Sequence, residues 1–165
     1  MEVDADTSPK HPMRMEWDPT DAQLAYLIFR ITLGINILIH GLGRILGPGA
    51  AGFAAKTAAE FANTPLPAAL VHLFLIVLPF AEAMLGTLIL LGLFLRWALA
   101  LGGLLIATLV FGTALRSDWN IVGIQMIYAI TYFLLLLNRK HDWLSVDGLR
   151  NTEPSPSSKS APNHS

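Results

Sequence analysis

The chain has 165 residues, 53% of them hydrophobic and only 14% charged, and no cysteine. Eleven basic against twelve acidic side chains leave no electrostatic footprint for nucleic acid. The lack of cysteine excludes disulfides, CxxC redox exchange and thiolate metal sites. A mean hydropathy of +0.52 is too apolar for an ordinary water-soluble domain. Residues 24–137 hold 8 of the 23 charged side chains, so the middle of the chain reads as a membrane domain and the ends as water-facing segments.

In chain order, residues 1–20 are polar and proline-containing and read as a flexible tail. The membrane domain spans 21–148, and a second flexible tail, rich in Pro, Ser and Asn, occupies 149–165. Four stretches are long and apolar enough to cross a bilayer as helices: about 24–46, 67–91, 95–115 and 119–137. The first is not a cleaved signal, because some twenty polar residues precede it. The fold class is thus an all-α membrane protein, a four-transmembrane-helix bundle. Between the first two spans, Gly47, Pro48, Gly49 and Gly52 break the helix. Residues 53–61 then resume a helical pattern, with Lys56 and Glu60 four apart, and read as a short interfacial helix. Pro79 is expected to kink the second span, and the Gly43–Gly47 GxxxG pattern suggests close helix approach.

Four spans place both ends on one side. The basic flanks favour that side being cytoplasmic: Lys10, Arg14, Arg96, Arg139, Lys140, Arg150 and Lys159 against Arg44, Lys56 and Arg116. Trp17, Trp97 and Trp143 fall at the inner interface and Trp119 at the outer.

Ionisable groups at membrane depth need partners. With each span taken from its apolar boundary, Arg30 lies about 9 Å in from the inner face and Glu82 about 13 Å. This predicts a buried structural ion pair between Arg30 and Glu82. By the same count His40 and His72 share the outer half. Asn36, His40 and Arg44 lie on one face of the first helix with Arg30. His40, Arg44, His72, Arg116, Asp118, Asn120 and Gln125 are therefore candidate ligand-binding residues. Three readings stay open. They could hydrogen-bond a quinone, two facing histidines could ligate haem, or all could bond only to backbone, water and lipid headgroups. No metal-site spacing is present in the sequence, and no residue can be named catalytic.

Several elements together resemble the DoxX/DoxD family of small bacterial membrane proteins. They are Arg30, Gly34 and His40-Gly41, Gly52-Phe53, Leu78-Pro-Phe-Ala-Glu82, Gly86, Leu91-Gly92, Arg96, Asp118-Trp-Asn-Ile and Leu144-Ser-Val-Asp147. The resemblance covers roughly residues 24–148. It implies a four-helix bundle in the bacterial inner membrane, with Arg30, Glu82, Arg96, Asp118 and Asn120 at family-like positions. Some relatives are subunits of a thiosulfate:quinone oxidoreductase, and others are linked to membrane redox complexes. The expected function is accordingly a redox-linked subunit that binds a quinone or similar hydrophobic ligand in the outer half. The alternative is a non-catalytic accessory subunit packed against a larger membrane complex. The cysteine-pair mechanism of the four-helix vitamin K reductases is excluded.

Overall fold

The structure is a computed structural model describing residues 19–147; both tails expected from the sequence lie outside these residues, apart from the last two positions of the first. Its elements in order are α1 (Asp21–Leu46), α2 (Gly49–Ala59), α3 (Ala68–Leu91), α4 (Leu95–Leu115) and α5 (Trp119–Leu137), followed by a single 3-10 turn (Arg139–His141). Helices α1, α3, α4 and α5 are long and apolar enough to cross a membrane. Their outer surface is apolar, with Leu73, Trp97, Leu104, Ile127 and Phe133 all exposed, the reverse of a water-soluble surface. The five threonines within these helices, Thr32, Thr87, Thr108, Thr113 and Thr131, each donate to the carbonyl four residues back. These five hydroxyls are thereby satisfied within their own helices.

α1 begins at a capping box, in which the Thr20 amide donates to Gln23 Oε1 and the Gln23 amide donates back to Thr20 Oγ1. α3 ends at Gly92 in the left-handed region (φ 67°), and the Leu93 amide donates to the Leu88 carbonyl in a Schellman closure. α4 starts at Phe94, whose side chain supplies no cap. The cap comes from far along the chain, since the Leu95 amide donates to Asp147 Oδ2 at 2.9 Å.

The tightest packing joins α1 to α3. A Cβ at Gly34 would fall 2.9 Å from the Leu90 amide nitrogen, one at Gly86 would fall 2.3 Å from that of Leu38, and one at Gly41 would fall 2.4 Å from that of Ala83. The two backbones therefore touch along an antiparallel register that pairs residue 34 with 90, 38 with 86 and 41 with 83. Gly34 and Gly41 are seven apart, as a left-handed crossing requires. The Gly43–Gly47 pair plays no such part: nothing lies within 4 Å of a Cβ at Gly43, and one at Gly47 would meet only α1's own carbonyl. Pro79 is buried and α3 runs through it without interruption.

Two apolar clusters fill the bundle. One joins α1, α3, α4 and α5 through Leu33, Ile37, Leu85, Ile89, Leu99, Ile106 and Leu135. The other joins α2 to the first half of α3 through Ala54, Val71, Leu75 and Leu78. α2 begins at Gly49, four residues earlier than the sequence suggests. Gly47, Pro48 and Gly49 make the break, Gly49 in the left-handed region (φ 74°), while Gly52 lies inside α2 and does not interrupt it. Glu60 turns away from Lys56 to Arg116.

Candidate functional site

The α1–α3 register places Arg30 level with the turn after α3, about 18 Å along the axis from Glu82. The expected Arg30–Glu82 pair does not form. The error came from treating the two apolar runs as flush, whereas α1 overhangs the end of α3. Arg30 is 2% exposed and acts as a clasp. It donates to the Ile89 carbonyl near the C-terminus of α3 and to the Leu144 carbonyl, and its Nε stands 3.7 Å from Asp142 Oδ1. A cation there also meets the negative end of the α3 dipole. Gly92 leaves room for it, since a Cβ there would strike both Arg30 and Ser145. Thus Arg30, Gly92 and Asp147, scattered through the sequence, meet in one knot on the side where α1 begins and α5 ends.

Glu82 pairs instead with Arg44, which donates to both carboxylate oxygens. The Glu82 side chain is 7% exposed and that of Arg44 28%. The Arg44 guanidinium also lies over the Phe53 ring, 4.7 Å from its centroid. One turn before Arg44, His40 places Nδ1 3.2 Å from the Asn36 carbonyl, and its ring meets that of Tyr128 edge-on at 6.4 Å. Tyr128 in turn donates to Asn36 Oδ1 at 2.9 Å. The predicted polar face of α1 therefore exists, and its partners are Glu82 from α3 and Tyr128 from α5. Sequence reasoning passed over Tyr128 as one aromatic residue among apolar neighbours. Its spacing of three from Gln125, on the same helix face, was the available signal.

Arg44 borders a cavity of about 430 Å³ enclosed by α2, α3, α4 and the start of α5. Phe53, Phe61, Phe74, Leu78, Leu109 and Ile121 supply apolar walls, and Thr57, Thr113 and Gln125 add polar points. Gln125 donates to Thr113 Oγ1 at 3.0 Å, while its Oε1 is buried without a partner among the described residues. The rim is set by Arg116, which bonds Glu60 Oε2 at 2.5 Å, approaches Asp118 Oδ2 at 3.5 Å and covers the Phe61 ring. Asp118 also caps α5, accepting from the Ile121 amide.

Of the seven candidates from the sequence, Arg44, Arg116 and Gln125 line this cavity. Asp118 and Asn120 line a shallow depression beside it, shared with Glu60 and Arg116. His40 sits behind Arg44 and is exposed, and His72 is exposed near the start of α3. The register separates these two histidines by about 18 Å along the axis, so they do not share a level. Axial ligands must bond opposite faces of one iron, and this pair does not fit a bis-histidine haem. Among the described residues no group of three or more His, Asp or Glu is placed to hold a metal ion.

These features define a small polytopic helical membrane protein with a buried cross-helix ion pair beside a ligand-sized cavity. The family model described as DoxX matches residues 25–115, more than half of the chain, and the protein belongs to the DoxX family. The match takes in α1 from its fifth residue through the end of α4 and leaves out α5. No curated protein and no solved structure matches the chain.

Proposed function

We propose that the protein binds a quinone, or a similar hydrophobic ligand bearing polar oxygens, in the cavity under α2, and serves as a redox-linked membrane subunit. The observation that supports this reading is the cavity itself. Its volume of about 430 Å³ lies in the range of small-molecule sites, its walls are mainly apolar, and its polar groups sit at separate points. A quinone carbonyl would accept from Arg44 or Arg116. A quinol hydroxyl would donate to Gln125 Oε1, which has no partner among the described residues. Electrons would come from a partner protein. Both ends of the chain would face the cytoplasm of a bacterial inner membrane, because Arg96, Arg139 and Lys140 flank that side against Lys56 and Arg116 on the other, where Arg44 is drawn into the bundle by Glu82.

The test is extraction of lipids from protein purified in mild detergent, followed by titration with a short-chain quinone. Bound quinone in the wild type, lost in Gln125→Leu and in Phe74→Trp, supports the reading. No co-purified quinone, with equal titration of all three proteins, refutes it. Since the chain has no cysteine, Lys56→Cys and Lys140→Cys each report orientation through an impermeant thiol reagent applied to intact cells. Labelling at position 56 alone is expected.

The accessory-subunit reading has its own support in α5. Only 11% of its apolar stretch is buried, and nothing lies within 4 Å of a Cβ at Gly123. That face could receive another membrane helix. Recovery of a stoichiometric large partner from native membranes, lost in Gly123→Leu, would favour it.

A further inference from the structure

A second groove, of about 540 Å³, opens between the start of α1 and the end of α5, sharing no lining residue with the α2 cavity. Its floor is apolar, formed by Ala25, Ile28, Phe29 and Leu134. Its mouth is polar, formed by Asn138 and His141. Two further observations point to a ligand with an anionic head. Tyr26 lines the groove and is only 5% exposed, yet its hydroxyl has no hydrogen-bond partner among the described residues. A buried phenol without an acceptor is costly unless something else supplies one. Between the mouth residues Asn138 and His141 in the chain, Arg139 and Lys140 of the 3-10 turn do not line the groove but are exposed next to it. Of the nearby acids, Asp142 is held by Arg30, and Asp21 stands exposed at the first residue of α1.

We infer that this groove holds one anionic phospholipid. An acyl chain would lie along the apolar floor, where the bilayer already supplies it. The phosphate would sit at the mouth beside Arg139, Lys140 and His141, and a head-group or ester oxygen would accept from the Tyr26 hydroxyl. The depth of the groove matches this division, because its floor belongs to the membrane-spanning parts of α1 and α5 and its mouth to the residues that follow α5.

Native mass spectrometry of the full chain, released from nanodiscs of equal phosphatidylglycerol and phosphatidylcholine with matched chains, tests this. The wild type is expected to retain a single phosphatidylglycerol. A basic residue near anionic lipid contributes roughly fivefold in affinity, so Arg139→Ala with Lys140→Ala should lower retention about thirtyfold. Ala25→Trp fills the floor and should abolish retention. Tyr26→Phe keeps the ring and removes only the hydroxyl. It should keep or raise the melting temperature in lipid-free detergent, because the unpartnered hydroxyl is gone, and lose most retention. Equal retention of the two lipids overturns the inference, as does wild-type retention by Tyr26→Phe. Displacement by soluble glycerol phosphate also overturns it, since that would make the site one for a free anion. Should Ala25→Trp fail to fold, Tyr26→Phe and the double variant decide.

Discussion

Replacing Arg44 by Met leaves the Glu82 carboxylate inside the bundle without its counter-charge. Breaking a buried pair by removing one partner costs about 3–5 kcal/mol. Glu82 is nearly sealed, but Arg44 is 28% exposed and borders the cavity, so the pair is only partly buried, the lower end applies and about 3 kcal/mol is expected. Glu82→Gln should cost less, about 1–2 kcal/mol, because the amide still accepts a hydrogen bond and the guanidinium can turn into the cavity. The double variant should then show a coupling of about 1–3 kcal/mol. The assay is equilibrium unfolding in mixed micelles, with dodecyl sulfate as denaturant and helicity as readout. The same cycle on Arg30→Met and Glu82→Gln serves as control. These side chains stand about 18 Å apart by register, so their effects should add to within about 0.5 kcal/mol. Zero coupling in the first cycle, or clear coupling in the second, would refute the assignment of partners.

Three other outcomes follow from the geometry. Gly86→Ala should destabilise by about 1–3 kcal/mol in the same assay, because its Cβ meets backbone rather than a movable side chain, whereas Gly43→Ala should be neutral or slightly stabilising. Asp147→Ala removes the cap of α4 and should cost about 1 kcal/mol, with Asp147→Asn recovering most of it. Arg30→Met should release the segment after α5. Limited proteolysis beyond residue 138 should become at least several-fold faster, while the helices themselves stay protected.

The four crossings were legible because an uninterrupted apolar run of twenty residues has few other uses, and the ends of all four helices fall within three residues of those expected. The level of one helix against another was not legible from those runs, since hydropathy marks where lipid begins and says nothing of axial offset. Counting from the apolar ends of the two runs therefore matched Arg30 with Glu82 and His40 with His72. The glycines held the missing information. Gly34 and Gly41 facing Gly86 set the offset, while the more familiar Gly43–Gly47 spacing drew attention to a face that packs on nothing. Arg44, Arg116 and Gln125 were found because polar residues near the apolar ends of spans are conspicuous. Tyr26, Tyr128 and Asp142 were not, because a tyrosine among apolar neighbours or an aspartate flanking a span looks ordinary until its partner is known; Asp147 stood out only as part of the family resemblance, and its capping role was not legible.

The clasp around Arg30 bears on how the bundle is made. Its guanidinium enters the bilayer with the first helix to be synthesised, yet two of its three ties, Asp142 and the Leu144 carbonyl, emerge more than a hundred residues later. The first amide of α4 waits likewise for Asp147. Until the ribosome has passed these positions, the early helices sit in the membrane with a cation short of partners. Closure of the bundle thus waits on the segment that follows α5, however early the four helices themselves have formed.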